Sequence, residues 1–242
     1  MQEFWDDYVG GHYDFDKEIK QMKDYLKYFR KNFIPLLPKD KNSRVLEIGF
    51  GNGFFLKTMM NAGYNNFLGI EPGKTQYEFT KKHITDKVLL VADTFKFLSK
   101  NKNRFDAIVM IEVLEHIPKK DTNKLLSLIK DSLKENGIII IKVPNMSNPL
   151  MLRSRYSDFT HEVGFTPESL FQVLHCADFK IIRVFPDSLA FSFKGTIAWF
   201  AQKICGFPLK LLGKIFLINI ILSKSLIATA RKPQKEPPTT SK

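Results

Sequence analysis

The run Val45-Leu46-Glu47-Ile48-Gly49-Phe50-Gly51-Asn52-Gly53 constrains the chain more than any other feature. A short apolar stretch ends in three glycines at alternate positions, and a helical pattern from Phe54 to Asn61 follows. Strand, glycine-rich turn and helix in that order open a βαβ unit. Glycine permits positive φ and lets a ligand come close to the main chain. In open α/β sheets such turns lie at the carboxyl ends of strands, where ligands bind.

The alternation continues downstream. Val45–Ile48, Phe67–Ile70, Val88–Val91, Ala107–Ile111 and Ile138–Val143 read as buried strands. Gln76–His83 and Thr122–Leu133 read as helices between them, with Gly137 where a helix C-terminal glycine belongs. Alternating strands and helices predict a parallel sheet covered on both faces. Phe179–Phe185 and Leu226–Ala230 supply a sixth and a seventh strand. Upstream, Ile19, Met22, Leu26, Phe29 and Phe33 recur at spacings of three and four. They predict an amphipathic helix, capped by Asp14 or Asp16 and closed by Pro35 and Pro38. Pro144 to Thr166 reads as a long polar connection. Thr166-Pro167 caps a helix running to about Cys176.

The acids after the strands narrow the ligand. A dinucleotide fingerprint is G-x-G-x-x-G. Here the third glycine comes one residue early, and Glu47 would repel a pyrophosphate. An NAD-dependent oxidoreductase is therefore the weaker reading. Glu71 ends the second strand, placed to accept hydrogen bonds from both ribose hydroxyls. Asp93 follows the third, able to accept from an exocyclic amine of adenine. Three acids after three successive strands suit a nucleoside without phosphate, and Glu47 suits a cationic one.

On these residues the chain resembles the class I S-adenosylmethionine-dependent methyltransferases, from about Ser43 to Gly137 and more loosely to Ala230. The resemblance implies a Rossmann-like, doubly wound α/β fold with a seven-stranded sheet, mostly parallel with an antiparallel last strand. It implies S-adenosylmethionine as cofactor, with Gly49, Gly51 and Gly53 around its methionine part and Glu47 at the turn. Glu71 would hold the ribose, Asp93 and Thr94 would face the adenine, and Ile111 and Glu112 would lie on the cofactor side. The chain then divides into a helical lid (1–42), a methyltransferase domain (43–230) with an apolar and basic insertion at about 191–223, and a disordered tail (231–242).

An alcohol acceptor must lose a proton, and histidine is the default base. Of five histidines, His83 and His175 fall on helices away from the strand ends and read as structural or surface residues, and His12 lies near the start. His116 follows the fourth strand. His161 lies in the loop from Asp158 to Thr166, where Asp158 and Glu162 could orient it. These two are the candidate catalytic residues, with the choice between them open. The stretch from Asp158 to Leu170 resembles a segment of bacterial methyltransferases of surface polysaccharides. That implies a hydroxyl of a sugar or glycan precursor, small or lipid-linked, as acceptor. The alternatives are a quinone precursor, a lipid head group, a phosphate-type group, or binding of the cofactor without transfer.

The net charge of +12 fits nucleic acid, an anionic membrane or a lysine-rich surface. Enzymes that methylate amino groups of bases carry, by resemblance, an Asn/Asp-Pro-Pro-aromatic turn after the fourth strand. Here Ile111-Glu112-Val113-Leu114 stands there, and no nucleic-acid module is recognisable, so no nucleic-acid partner is expected. Two cysteines, Cys176 and Cys205, argue against a disulfide scaffold and a cysteine-based zinc site; no metal is expected. Met1 to Tyr8 lacks the features of a secretory signal, and no window reaches the roughly 18 apolar residues of a membrane span. The expected location is the cytoplasm. Between 191 and 223, Trp199, Phe200, Ile204, Phe207, Leu211, Leu212, Ile215 and Phe216 alternate with Lys203, Lys210 and Lys214. This insertion fits either a membrane interface, giving peripheral attachment to the inner face, or packing on the domain or a second subunit. The sequence does not indicate an oligomeric state.

Overall fold

The computed structural model describes residues 15–188 and 221–234, with a few isolated positions between 196 and 208. The chain opens with helix α1 (Phe15–Asn32) and a 3-10 turn (Ile34–Leu36). Strand β1 (Val45–Ile48), α2 (Phe54–Asn61), β2 (Phe67–Glu71), α3 (Lys74–His83), β3 (Val88–Leu90), α4 (Thr94–Ser99) and β4 (Phe105–Ile111) follow. A second 3-10 turn (Leu114–His116) leads to α5 (Lys119–Ser132) and β5 (Leu133–Pro144). A third 3-10 turn (Pro149–Met151), α6 (Leu152–Ser157), α7 (Pro167–Cys176), β6 (Lys180–Pro186) and β7 (Ser225–Arg231) complete the described chain. The seven strands form one sheet in the order β3-β2-β1-β4-β5-β7-β6. The first five pair in parallel, and β7 lies antiparallel between β5 and β6.

Strand alternation divides the core. Leu46 and Ile48 of β1 face a cluster with Leu98 of α4, Leu125, Leu126 and Ile129 of α5, and Leu170 and Leu174 of α7. Val45 faces the other way, toward Phe33, Phe55, Met59 and Phe67. The sheet is thus covered on both faces. Helix α1 belongs to the second face. Its Phe29, and Phe33 just after it, meet Phe55 of α2 at ring-centroid distances of 5.6 Å, and Tyr25 meets Phe54 at 5.5 Å. Asn32 exchanges hydrogen bonds with the main chain of Ser188.

Several sequence expectations differ from the structure. Gly137 does not close a helix. Helix α5 ends at Ser132, the strand starts at Leu133, and Asn136 takes the left-handed conformation (φ 59°). Gly137 is needed for space, because a Cβ there would lie 2.8 Å from the Lys134 carbonyl oxygen. The pairing of β4 with β5 shifts register across this kink. Helix α4 has no clear periodic signal in Thr-Phe-Lys-Phe-Leu-Ser, yet Asp93 caps it. The connection from Pro144 to Thr166 contains α6. The tail expected from 231 onward is ordered at its start: Arg231 ends β7 and Lys232 Nζ donates to the Leu133 carbonyl. Asp14, His12, Cys205 and most of the 191–223 insertion lie outside the described residues. The insertion's end is fixed, since Asn145 Nδ2 donates to the Ile221 and Ser223 carbonyls. Among the described residues, no helix is long and apolar enough to cross a membrane.

Candidate active site

The glycine loop leaves β1 beside the carboxyl ends of β2 and β4. Gly49, Gly51 and Gly53 all have positive φ, at 71°, 51° and 70°. The reasons differ by position. A Cβ on Gly49 would lie 2.5 Å from Val113 Cγ2, and one on Gly53 would lie 2.5 Å from Thr80 Cγ2. These two glycines let the segment after β4 and helix α3 pack onto the loop. A Cβ on Gly51 would meet nothing within 4 Å. Its N–H donates to Glu71 Oε2 (2.9 Å) and its carbonyl accepts from Thr80 Oγ1 (3.1 Å). Gly51 therefore turns its bare Cα toward open space, where a ligand can approach.

Glu71 ends β2 as expected. Its second oxygen, Oε1, accepts from the Gly73 N–H at 3.0 Å. Each carboxylate oxygen keeps lone-pair capacity for a further donor such as a ribose hydroxyl. Burial pushes its pKa up, and the two amides oppose the shift. Glu47 lies within β1, opposite Gly69 and Val109, rather than in the turn. Its carboxyl is buried (2% exposed), and Oε2 has no hydrogen-bond partner. Burial, reinforced by the Glu71 carboxylate, holds Glu47 well above the usual carboxylate range. Such an acid is costly to ionise unless a positive ligand lies close. Asp93 is exposed, and its Oδ1 caps α4 by accepting from the Lys96 N–H (2.9 Å); Thr94 is the first residue of that helix.

The segment after β4 carries the second half of the site. Ile111 ends β4, and Glu112 adopts φ 55°. Lys142 Nζ of β5 donates to the Glu112 carboxylate. Burial alone would raise Glu112, but the Lys142 ammonium wins and holds it low. Tyr28 of α1 has its ring under the Lys142 ammonium (5.7 Å) and donates its hydroxyl to Asp187 Oδ2 (2.9 Å). Sequence reasoning missed Lys142, Tyr28 and Asp187. A lysine inside the apolar run Ile138–Val143 was the one available signal.

Sequence reasoning also missed Glu115. It is 1% exposed, and neither carboxylate oxygen has a hydrogen-bond partner. Burial, with the neighbouring Glu112 carboxylate, keeps it well above the usual range. Next to it, His116 and His161 meet with ring centroids 4.7 Å apart, although they lie far apart in sequence. Glu115, His116 and His161 each place one ligand-capable atom within 4.8 Å of the others. The His161 loop is tied to this turn, because the Glu162 and Val163 N–H groups donate to the Glu115 carbonyl at 2.8 and 3.0 Å. His161 Nδ1 bonds the Ser154 carbonyl (2.9 Å), and His116 Nδ1 bonds Thr160 Oγ1 (2.8 Å). Asp158 faces both rings: its Oδ1 accepts from the Thr160 hydroxyl (2.6 Å), which bonds His116, and its Oδ2 lies 3.9 Å from His161 Nε2, on the side the sequence expected. Glu162 does not orient His161 by its side chain; its main chain anchors the loop. Burial pushes the His116 imidazole down, and His161 adds to that shift. His83 meets Phe79 in a tilted contact (5.0 Å) and His175 stacks on Phe171, both as exposed helix residues away from the strand ends.

The fold defines a class: an S-adenosylmethionine-dependent α/β methyltransferase with a seven-stranded, mostly parallel sheet. The chain matches the methyltransferase domain family over residues 17–184, more than half its length, and it belongs to that family. A solved S-adenosylmethionine-dependent methyltransferase from Archaeoglobus fulgidus aligns with TM-score 0.69 at 20% identity, covering 90% of this chain and 100% of that one. A ubiquinone biosynthesis O-methyltransferase of Bartonella tribocorum is 27% identical over 48% of this chain and 47% of its own. A tRNA U34 carboxymethyltransferase of Pseudomonas fluorescens is 24% identical over 59% of this chain and 47% of its own. This chain spans a little under half the length of these curated relatives. Neither is named for a sugar acceptor, and the tRNA relative leaves the expectation of no nucleic-acid partner without support.

Proposed function

We propose that this chain transfers a methyl group to a hydroxyl of a small acceptor, and that the hydroxyl is phenolic, as in quinone precursors. When bound, S-adenosylmethionine supplies a methyl group on a positively charged sulfur, which becomes a neutral thioether as the acceptor oxygen takes the methyl. Gly51 offers the close approach, Glu71 the ribose acceptor, and the buried carboxyl of Glu47 a counter-charge for a cation. Asp93 and Thr94, at the start of α4, would face the adenine.

The observation that carries the reading is the His116–His161 pair beside Glu115, on a segment whose Val113 packs on Gly49. An imidazole pushed below its ordinary value is neutral at pH 7 and able to accept a proton, but it is a weak base. A phenol near pKa 10 is an acid such a base can deprotonate with far less help than an alcohol needs. An alcohol close to water, at about 15.7, lies about 6 units or roughly 8 kcal/mol further away, whatever the base. The acidity match favours a phenol over a sugar hydroxyl. It agrees with the ubiquinone relative and moves weight from the glycan reading of the Asp158–Leu170 loop.

The test offers methyl-labelled cofactor with a dihydroxybenzoate, a nucleotide sugar and tRNA in separate reactions. The reading expects label in the phenol alone. It also expects the His116→Gln/His161→Gln double variant to bind cofactor with unchanged affinity and to lose turnover. Label in the sugar or the RNA, or full turnover by the double variant, refutes it.

A further inference from the structure

Glu115 stands out among the buried polar groups. A carboxyl that is 1% exposed, with no well-formed hydrogen bond to either oxygen beyond its contacts with the Glu112 carboxyl and its own main-chain N–H, is poorly compensated for its lost solvation. The nearest carboxylate, Glu112, is already paired with Lys142. Two imidazoles complete a compact set around Glu115, with one ligand-capable atom from each residue within 4.8 Å of the others.

The surrounding bonds orient both rings. The Ser154 carbonyl can only accept, so His161 Nδ1 carries the proton and Nε2 the lone pair. The Thr160 hydroxyl gives its proton to Asp158, so it accepts from His116 Nδ1–H, and the His116 lone pair is again on Nε2. The Ser154 carbonyl behind His161 and the Thr160–Asp158 relay behind His116 form the kind of outer shell that fixes metal-ligating histidines, with Asp158 Oδ2 3.9 Å from His161 Nε2. Arg155 Nη2 donates to the Glu162 carbonyl (3.0 Å) and Arg155 Nη1 to that of His161, holding the loop to the turn.

We infer that Glu115, His116 and His161 form a binding site for a divalent first-row transition cation. Two imidazole nitrogens and one carboxylate suit zinc, iron, cobalt or manganese, whereas magnesium and calcium prefer all-oxygen sets and copper(I) prefers sulfur. Three protein ligands leave positions open for oxygens of a small molecule. The site itself stands on this geometry. Its part in the reaction rests on the hydroxyl-acceptor reading and changes the agent: the imidazole lone pairs hold the cation. An acceptor oxygen bound beside them keeps its electron pair and releases its proton to solvent more readily.

The test titrates the chelator-stripped full chain with Co2+ and follows its visible absorption, with cofactor affinity and thermal unfolding measured alongside. One saturable equivalent with a ligand-field spectrum is expected. Glu115→Gln and His161→Ala are each expected to weaken Co2+ by about tenfold or more, and Asp158→Asn, acting through Thr160, by about 10- to 100-fold. Cofactor affinity should stay within about twofold of wild type in a folded variant. Should His161→Ala unfold, Asp158→Asn and Glu115→Gln decide. No saturable Co2+ binding, or equal binding by the variants, overturns the site while leaving hydroxyl methylation to stand or fall by its own assay. Co2+ binding that these variants abolish, in a chain that methylates no hydroxyl, keeps the site and removes the reading of the reaction.

Discussion

Replacing the loop glycines one at a time with alanine should separate folding from cofactor binding. All three positions have positive φ, and a left-handed conformation costs an L-residue roughly 1–2 kcal/mol. At Gly51 that is the whole cost to the fold, because the added methyl meets nothing within 4 Å. In a chain of this size it lowers the melting temperature by about 2–8 °C. At Gly49 and Gly53 the methyl would lie 2.5 Å from Val113 Cγ2 or Thr80 Cγ2. Overpacking of that kind adds about 1–3 kcal/mol, for a total near 2–5 kcal/mol. Gly51→Ala should therefore melt above Gly49→Ala and Gly53→Ala. Yet it should bind S-adenosylmethionine at least about tenfold more weakly than wild type, a loss of about 1.4 kcal/mol, because its methyl occupies the approach to the main chain. Thermal unfolding and calorimetric titration read the two quantities. Wild-type affinity in Gly51→Ala, or a melting temperature as low as that of Gly49→Ala, would refute the assignment of the open face to the ligand.

Phe33→Ala and Phe55→Ala should each cost about 3–5 kcal/mol by urea unfolding, since both rings are buried where α1 meets α2. A small loss in Phe33→Ala would show that the junction after α1 adds little to the core. Lys142→Met leaves the half-open Glu112 carboxylate without its cation and should cost about 1–3 kcal/mol, with part of the loss recovered in the double variant with Glu112→Gln. Equal destabilisation of the single and double variants would deny the pairing. Glu47 gives a pH signature. Its pKa is raised in the folded chain, so its contribution is fully present below the ordinary carboxylate range and is lost as pH rises toward the folded value. Between pH 5 and pH 8 the wild type should lose more stability than Glu47→Gln, as measured by denaturant midpoints; parallel losses would count against a buried, unpaired acid.

The strands were legible because each is a short apolar run bounded by turn residues, and their alternation with helices dictates a parallel sheet. Glu71 and the three glycines were legible for the same reason: their position relative to a strand end has a physical meaning. Helix α4 was not, because its phenylalanines lie two apart and its start depends on an aspartate that also invites a functional reading. Gly137 misled because glycine serves both a left-handed cap and a crowded contact, and only the Lys134 carbonyl distinguishes them. The division into an N-terminal lid and a separate domain blurs once Phe33 is seen in the core of the sheet's second face.

The chemistry was half legible, and the missing half is a matter of distance along the chain. His116 and His161 were both visible as candidates, but no local pattern joins the turn after β4 to the loop after α6. The structure joins them through the Glu115 carbonyl, which accepts two loop amides, while the Glu115 carboxyl comes within 4.8 Å of a nitrogen of each ring. A sequence search for a single base weighs the histidines one against the other. A buried carboxyl between two oriented imidazoles asks what all three hold together. Choosing between His116 and His161 as the base is then the wrong experiment. Glu115→Gln is the informative one, since it removes a carboxyl that only a bound cation would ionise and leaves both imidazoles in place. Reduced turnover there, with cofactor affinity intact, would be hard to derive from an imidazole base and follows directly from a bound cation.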